Sequence, residues 1–118
     1  MPVIDYDLRV EGNTTWRRNF LWTSSGVPQP LGGAHALWTV RRDFGCATIL
    51  TLTDGGGITL LDGQISMVIT AQQIETIRKK LSVSVSPFYQ GIHALVVTYA
   101  SGEPVTFMAG KYIGRRTT

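Results

Sequence analysis

The sequence predicts a mainly β domain, an antiparallel β-sandwich of about eight strands with one short helix. Apolar and polar residues alternate along short runs, the period of a strand with one buried face. Clusters of Gly, Pro, Asn, Asp and Ser punctuate these runs at the spacing of sandwich turns. Only the stretch from Thr70 to Leu81 carries apolar residues at helical spacing. At 118 residues the chain has the length of one domain, 1–118.

Asp5 to Val10 reads as the first strand, with Tyr6, Leu8 and Val10 on one face and Gly12 and Asn13 closing it. Thr14 to Trp22 is the second. Trp16, Arg18, Phe20 and Trp22 share one side of it, and a row of large aromatics at period two is what a core needs. Arg18 on that side is expected at the rim, stacked on an indole through its planar head. A long turn with Pro28, Pro30, Gly32 and Gly33 follows, its prolines keeping other strands from adding on. Ala34 to Arg41 then sets Ala36, Trp38 and Val40 inward.

Ala47 to Thr53 is a Thr-rich strand ending at Asp54-Gly55-Gly56-Gly57. A glycine run cradles phosphate when it opens a helix, but this one opens another strand, Ile58 to Leu61, and lacks a Lys-Ser or Lys-Thr pair. It reads as a turn. Asp62-Gly63 signals a hairpin into the strand carrying Ile65, Met67 and Ile69. Thr70 and Gln73 fit a capping box, and Ile74, Ile77 and Leu81 give the helix after it an apolar stripe. Arg78, Lys79 and Lys80 in the last turn complement the negative end of the helix dipole.

Leu81 to Gln90 alternates and then sets Phe88 and Tyr89 beside Pro87, which reads as a protruding loop with an exposed aromatic pair. Gly91 to Tyr99 is a strand apolar on both sides, with His93, Leu95, Val97 and Tyr99 on one and Ile92, Ala94, Val96 and Thr98 on the other. Such a strand is central or faces a partner. After the Ala100 to Glu103 turn comes a last strand, Pro104 to Ile113. The basic tail at 114–118 is expected to be flexible unless an acidic neighbour orders it.

Composition narrows the function. Charged residues make up 16% of the chain, below the usual quarter, which suits a surface meant to be covered. The net charge of +3 is spread over Arg pairs and one basic triple rather than a continuous track, so nucleic acid is not expected as the partner. The lone Cys46 excludes an internal disulfide and has no nearby His to make it a nucleophile. His35 and His93 lack metal-ligand spacing, and Asp5 and Asp7 lack a third ligand for calcium. No secretory signal and no membrane-length apolar run is seen, so the chain is expected to be soluble and made in the cytoplasm. Nucleophile, base and oxyanion donors cannot be assembled from it, and neither enzyme activity nor a cofactor is expected.

The run Gly-Asn-Thr-Thr-Trp-Arg-Arg-Asn-Phe-Leu-Trp from Gly12, then Pro-Gln-Pro-Leu-Gly-Gly and Ala-Leu-Trp-Thr-Val-Arg-Arg, resembles small structural proteins of the tail and baseplate region of tailed bacteriophages. Ile49 to Thr53, Gly56 to Leu60, Asp62 to Ile65 and Val105 to Tyr112 agree in order. The resemblance extends to the N-terminal domain of phage upper baseplate proteins and covers about Asp7 to Tyr112. It implies an immunoglobulin-like sandwich and a virion protein that works by association with other virion proteins; a place in the tail, baseplate or fibre attachment, synthesis in the host cytoplasm, and a homo-oligomer or repeated copies in a symmetric assembly are expected. The segment Arg78 to Gln90 is longer than the family pattern and is expected to be the partner-specific part. Pro87, Phe88, Tyr89, Arg115 and Arg116 are the candidate protein-interface residues. A capsid decoration protein is the alternative, and behind it stands a nucleic-acid or carbohydrate binding module built on Trp16, Trp22 and Trp38.

Overall fold

Alternation along each strand decides which side chains turn inward. The computed structural model describes residues 4–12, 14–82 and 86–115. Its elements are β1 (Ile4–Asp5), β2 (Leu8–Glu11), β3 (Trp16–Leu21), β4 (Thr23–Ser24), β5 (Val27–Pro28), β6 (His35–Arg41), β7 (Thr48–Asp54), β8 (Gly57–Leu61), β9 (Gln64–Ile69), α1 (Ala71–Leu81), β10 (Phe88–Thr98) and β11 (Pro104–Arg115). Leu8 and Val10, then Ala36, Trp38 and Val40, then Ile65, Met67 and Ile69 are buried, as their spacing requires. His93, Leu95 and Val97 continue the same inner surface on β10.

Two facing antiparallel sheets are expected; the strands form one nine-stranded mixed sheet in the order β1-β11-β10-β6-β7-β8-β9-β3, with β2 also on β11 and a separate β4–β5 pair. β1 and β2 run parallel to β11, and β7 meets β8 in a short parallel contact. The sheet curls into a half-barrel. β3 lies at one end and β1 at the other, yet Phe20 of β3 stands 5.3 Å from the Tyr6 ring and 6.0 Å from Phe107 of β11. Trp22 is 5.0 Å from Phe107. The two ends are therefore joined by aromatic rings rather than by a backbone ladder.

A bulge makes that closure reachable. The β10–β11 register shifts between Leu95 and Val96, so one extra residue fits on β11 and Phe107 and Met108 are both buried. Asp5 to Val10, expected as one strand, is broken at Tyr6 and Asp7. There the Tyr6 carbonyl lies 2.7 Å from His93 Nε2, and the Asp7 carboxylate accepts the Lys111 N–H in its place. Gly110 allows this crossing, since a Cβ there would sit 2.2 Å from the Tyr6 carbonyl oxygen.

The helix begins as the capping box requires, the Thr70 hydroxyl accepting the Gln73 N–H and the Gln73 side chain accepting the Thr70 N–H. Eleven residues make too short a helix to persist alone. Ile74, Ile77 and Leu81 are buried as α1 packs against β7 and β10, worth roughly 1.5–3 kcal/mol for each side chain. The proline-containing turn is more ordered than expected, with β4 and β5 pairing across Ser25-Gly26.

Candidate protein interface

The expected protrusion at Pro87 to Tyr89 is the start of β10, whose register pairs Phe88 with Arg115 and Tyr89 with Gly114. Successive strand residues face opposite ways, so the aromatic pair is divided. Phe88 is 53% exposed beside an exposed Pro87, and the Arg115 guanidinium lies 5.9 Å from its ring centroid. Tyr89 is 3% exposed and cannot be an exposed interface aromatic. Its ring lies over Gly114, where a Cβ would stand 2.0 Å from Tyr89 Cζ, and 6.4 Å from the Tyr112 ring. Burial pushes both phenols above their usual range. Gly114 and Arg115, expected in the tail, belong to β11, while Arg116 lies outside the described residues.

Phe88 and Arg115 stand at one end of the outer sheet surface. Cross-strand register arranges this surface in rows. Arg41, Ile92 and Lys111 lie side by side across β6, β10 and β11; Thr39, Ala94 and Ala109 form the next row, with Asp5 beyond Ala109; Leu37 and Val96 follow. The small middle row lies between larger neighbours and makes a furrow of about 700 Å³ across the strands. Leu37 is 44% exposed.

Phe44 lines the furrow and is 85% exposed. It is displayed rather than loose. The Phe44 N–H donates to its neighbour's carboxylate, Asp43 Oδ1, at 2.8 Å, the Cys46 N–H to the Asp43 carbonyl, and Arg41 Nη1 to the Cys46 carbonyl at 3.2 Å. Arg41 and Lys111 thus stand on one side of the furrow and Asp5 closes its far end. The Lys111 ammonium makes no ion pair among the described residues, although its backbone N–H donates to the Asp7 carboxylate. The sequence already marked β10 as apolar on both sides; the partners from β6 and β11 that complete the surface are set by register, which no local pattern reveals.

A smaller apolar exposure lies on the other half of the sheet, where Leu21 and Leu61 flank Gln64 and are 77% and 56% exposed. The tryptophans face the other way. Trp22 and Trp38 are buried, and Arg18 lies 5.9 Å from the Trp16 and Tyr6 rings, as expected of a rim arginine.

Hydrogen-bonded polar side chains of the inner face and the strand ends serve the fold. Trp38 Nε1–H donates to His93 Nδ1 at 3.1 Å, and burial pulls the His93 imidazole below its ordinary range. Asp54 accepts the Ala36 N–H at 3.0 Å and lies 3.0 Å from His35 Nδ1; these contacts hold its carboxyl below the usual range, the Ala36 bond contributing most. This His35–Asp54 clip has no local sequence signal, because its residues are 19 apart on adjacent strands. Among the described residues, no group of three or more His, Cys, Asp or Glu could hold a metal ion, and no helix is long and apolar enough to cross a membrane. No known protein-family model matches the sequence, and no curated protein matches it significantly.

Proposed function

We propose that this chain is a non-enzymatic structural component of a bacteriophage particle, seated in the tail, the baseplate or a fibre attachment and acting through protein–protein assembly. The observation that carries this reading is the outer surface of β6, β10 and β11, where Leu37, Ile92, Ala94 and Val96 line an apolar furrow together with the exposed Phe44. An antiparallel sheet face that meets only water is normally polar, and contiguous apolar exposure marks a contact surface. The separate Leu21 and Leu61 patch suits a subunit with more than one neighbour. The resemblance of Gly12 to Arg42 and of the later strands to phage tail and baseplate proteins supplies the setting. In this reading the domain is a variant of the immunoglobulin-like sandwich whose two layers are the halves of one curled sheet.

Quantitative mass spectrometry of purified particles tests the proposal. The expected result is this chain in a fixed copy number matching a tail or baseplate ring. Recovery with isolated capsids would replace tail by capsid decoration. Absence from particles overturns the virion reading.

A further inference from the structure

We infer that the outer furrow and the Leu21 and Leu61 patch are the two halves of one contact between copies of this chain, the patch of each copy seated head to tail in the furrow of the next. The inference rests on the assembly reading above and names the partner of its carrying surface.

The patch is the tip of the molecule where β3, the β4–β5 hairpin and the β8–β9 turn meet. Leu21, Val27 and Leu61 are 77%, 63% and 56% exposed there. The Trp22 N–H donates to the Gly63 carbonyl, the Gly63 N–H to the Gln29 carbonyl and the Gln29 N–H to the Trp22 carbonyl, which fastens the hairpin to the β8–β9 turn. Pro28 closes over Gly63, where a Cβ would stand 2.6 Å from the Pro28 Cβ. Ser25, Gly26 and Val27 at the hairpin end are all exposed. The tip is a projection already held in shape, so little order is lost in seating it.

Charge is the first reason that a second copy is the occupant. No Asp, Glu, Lys or Arg lies between Arg18 and Arg41, and Asp62 is the only one between Gly55 and Ile74. Its carboxylate accepts the Leu31 N–H at 2.9 Å. The tip therefore brings almost no charge, and the furrow has no excess of either sign to neutralise. Arg41 and Lys111 stand with the carboxylates of Asp5, Asp7 and Asp43, the last two bonded to the Lys111 and Phe44 N–H groups, while the Arg41 guanidinium donates to the Cys46 carbonyl.

Shape and direction agree. Two furrows laid face to face would enclose empty space and forfeit packing contacts, whereas an aliphatic projection fills the small row of Thr39, Ala94 and Ala109. Phe20 and Trp22 meet Phe107 across the inner surface, so Leu21 between them and Val96 between the buried Leu95 and Val97 face away from each other. No copy can seat its own tip in its own furrow, and a contact between unlike patches propagates into a ring or a filament. Leu21, Val27, Leu61, Leu37 and Phe44 are five of the seven large apolar side chains exposed among the described residues, so this one contact covers most of them.

The test is sedimentation velocity on the full chain and its variants. Leu21→Glu with Leu61→Glu spoils the tip at two exposed sites; Phe44→Glu, at a third, spoils the furrow, and Ala94→Glu in its middle row is a second furrow variant. The unaltered chain should grow past the dimer between about 10 μM and about 1 mM, the range of a small contact, and added salt should not weaken it. Each variant alone should stay monomeric. A tip variant mixed with a furrow variant should give a one-to-one pair that grows no further, because the mixture joins the one sound furrow to the one sound tip. An unaltered chain that stays monomeric at the upper concentration overturns the inference, as do association abolished by salt, a tip variant that still self-associates, or a mixture of variants with folded amide spectra that stays monomeric. Particles that hold the chain with both surfaces against other proteins overturn the inference and leave the assembly reading standing; head-to-tail association of a chain absent from particles does the reverse.

Discussion

Trp38 and His93 show how one buried polar pair is satisfied and what it costs to disturb. An indole N–H can only donate, so His93 Nδ1, 3.1 Å away, must carry no proton; the Tyr6 carbonyl can only accept, so Nε2 carries it. The ring is held neutral and buried, with an imidazole pKa below the ordinary 6.5. The unfolded chain therefore takes up a proton that the folded chain resists, and stability present above about pH 6.5 falls as the pH drops through that value. Asp54, also depressed, adds a second decline below about pH 4. Thermal melts across pH should show both, and His93→Gln should lose the first while keeping the second. Trp38→Phe leaves Nδ1 without its donor and should cost about 1–3 kcal/mol beyond the lost packing, read by denaturant titration. Sequence alone shows His93 only as a strand residue without metal-ligand spacing; both its partners are distant in the chain, and only the fold brings them together.

At the scale of elements, local chemistry was legible wherever local chemistry decides. The Thr70 cap, the helix stripe and the Asp62-Gly63 hairpin are read directly from neighbouring residues, and the structure has all three. Thr70→Ala removes the bond to Gln73 N–H and should destabilise the fold by about 0.5–2 kcal/mol. The β4–β5 hairpin was hidden among prolines and glycines that signal only a turn. Its central residues Ser25 and Gly26 have φ of 52° and 79°, the positive pair of a type I′ turn, which disfavours Ser. Ser25→Asn should raise stability by up to about 1 kcal/mol, seen as a higher melting temperature. The start of β10 was hidden for a different reason. A proline beside two aromatics suggests a loop, and only pairing with β11 makes Phe88 and Tyr89 alternate.

The whole molecule is where sequence reading reached least far. Inner faces followed from period two, but the order of strands, the parallel placement of β1 and β2, and the curl that brings Phe20 to Phe107 depend on contacts between distant segments. The candidate surface followed the same division. Phe88 and Arg115 came from local pattern and do meet, Tyr89 was assigned to the wrong side, and the furrow needed the register of three strands. Under the proposed function, the furrow and the Leu21 and Leu61 patch are contact surface, in keeping with the apolar side chains exposed there. The most direct measurement is a cryo-electron microscopy map of the virus particles in which the proposed function places this chain. The expected result is density for the domain in a tail, baseplate or fibre-attachment ring with the outer face of β6, β10 and β11 covered by a neighbouring chain. Particles without the domain, or with that face open to solvent in every copy, would contradict it.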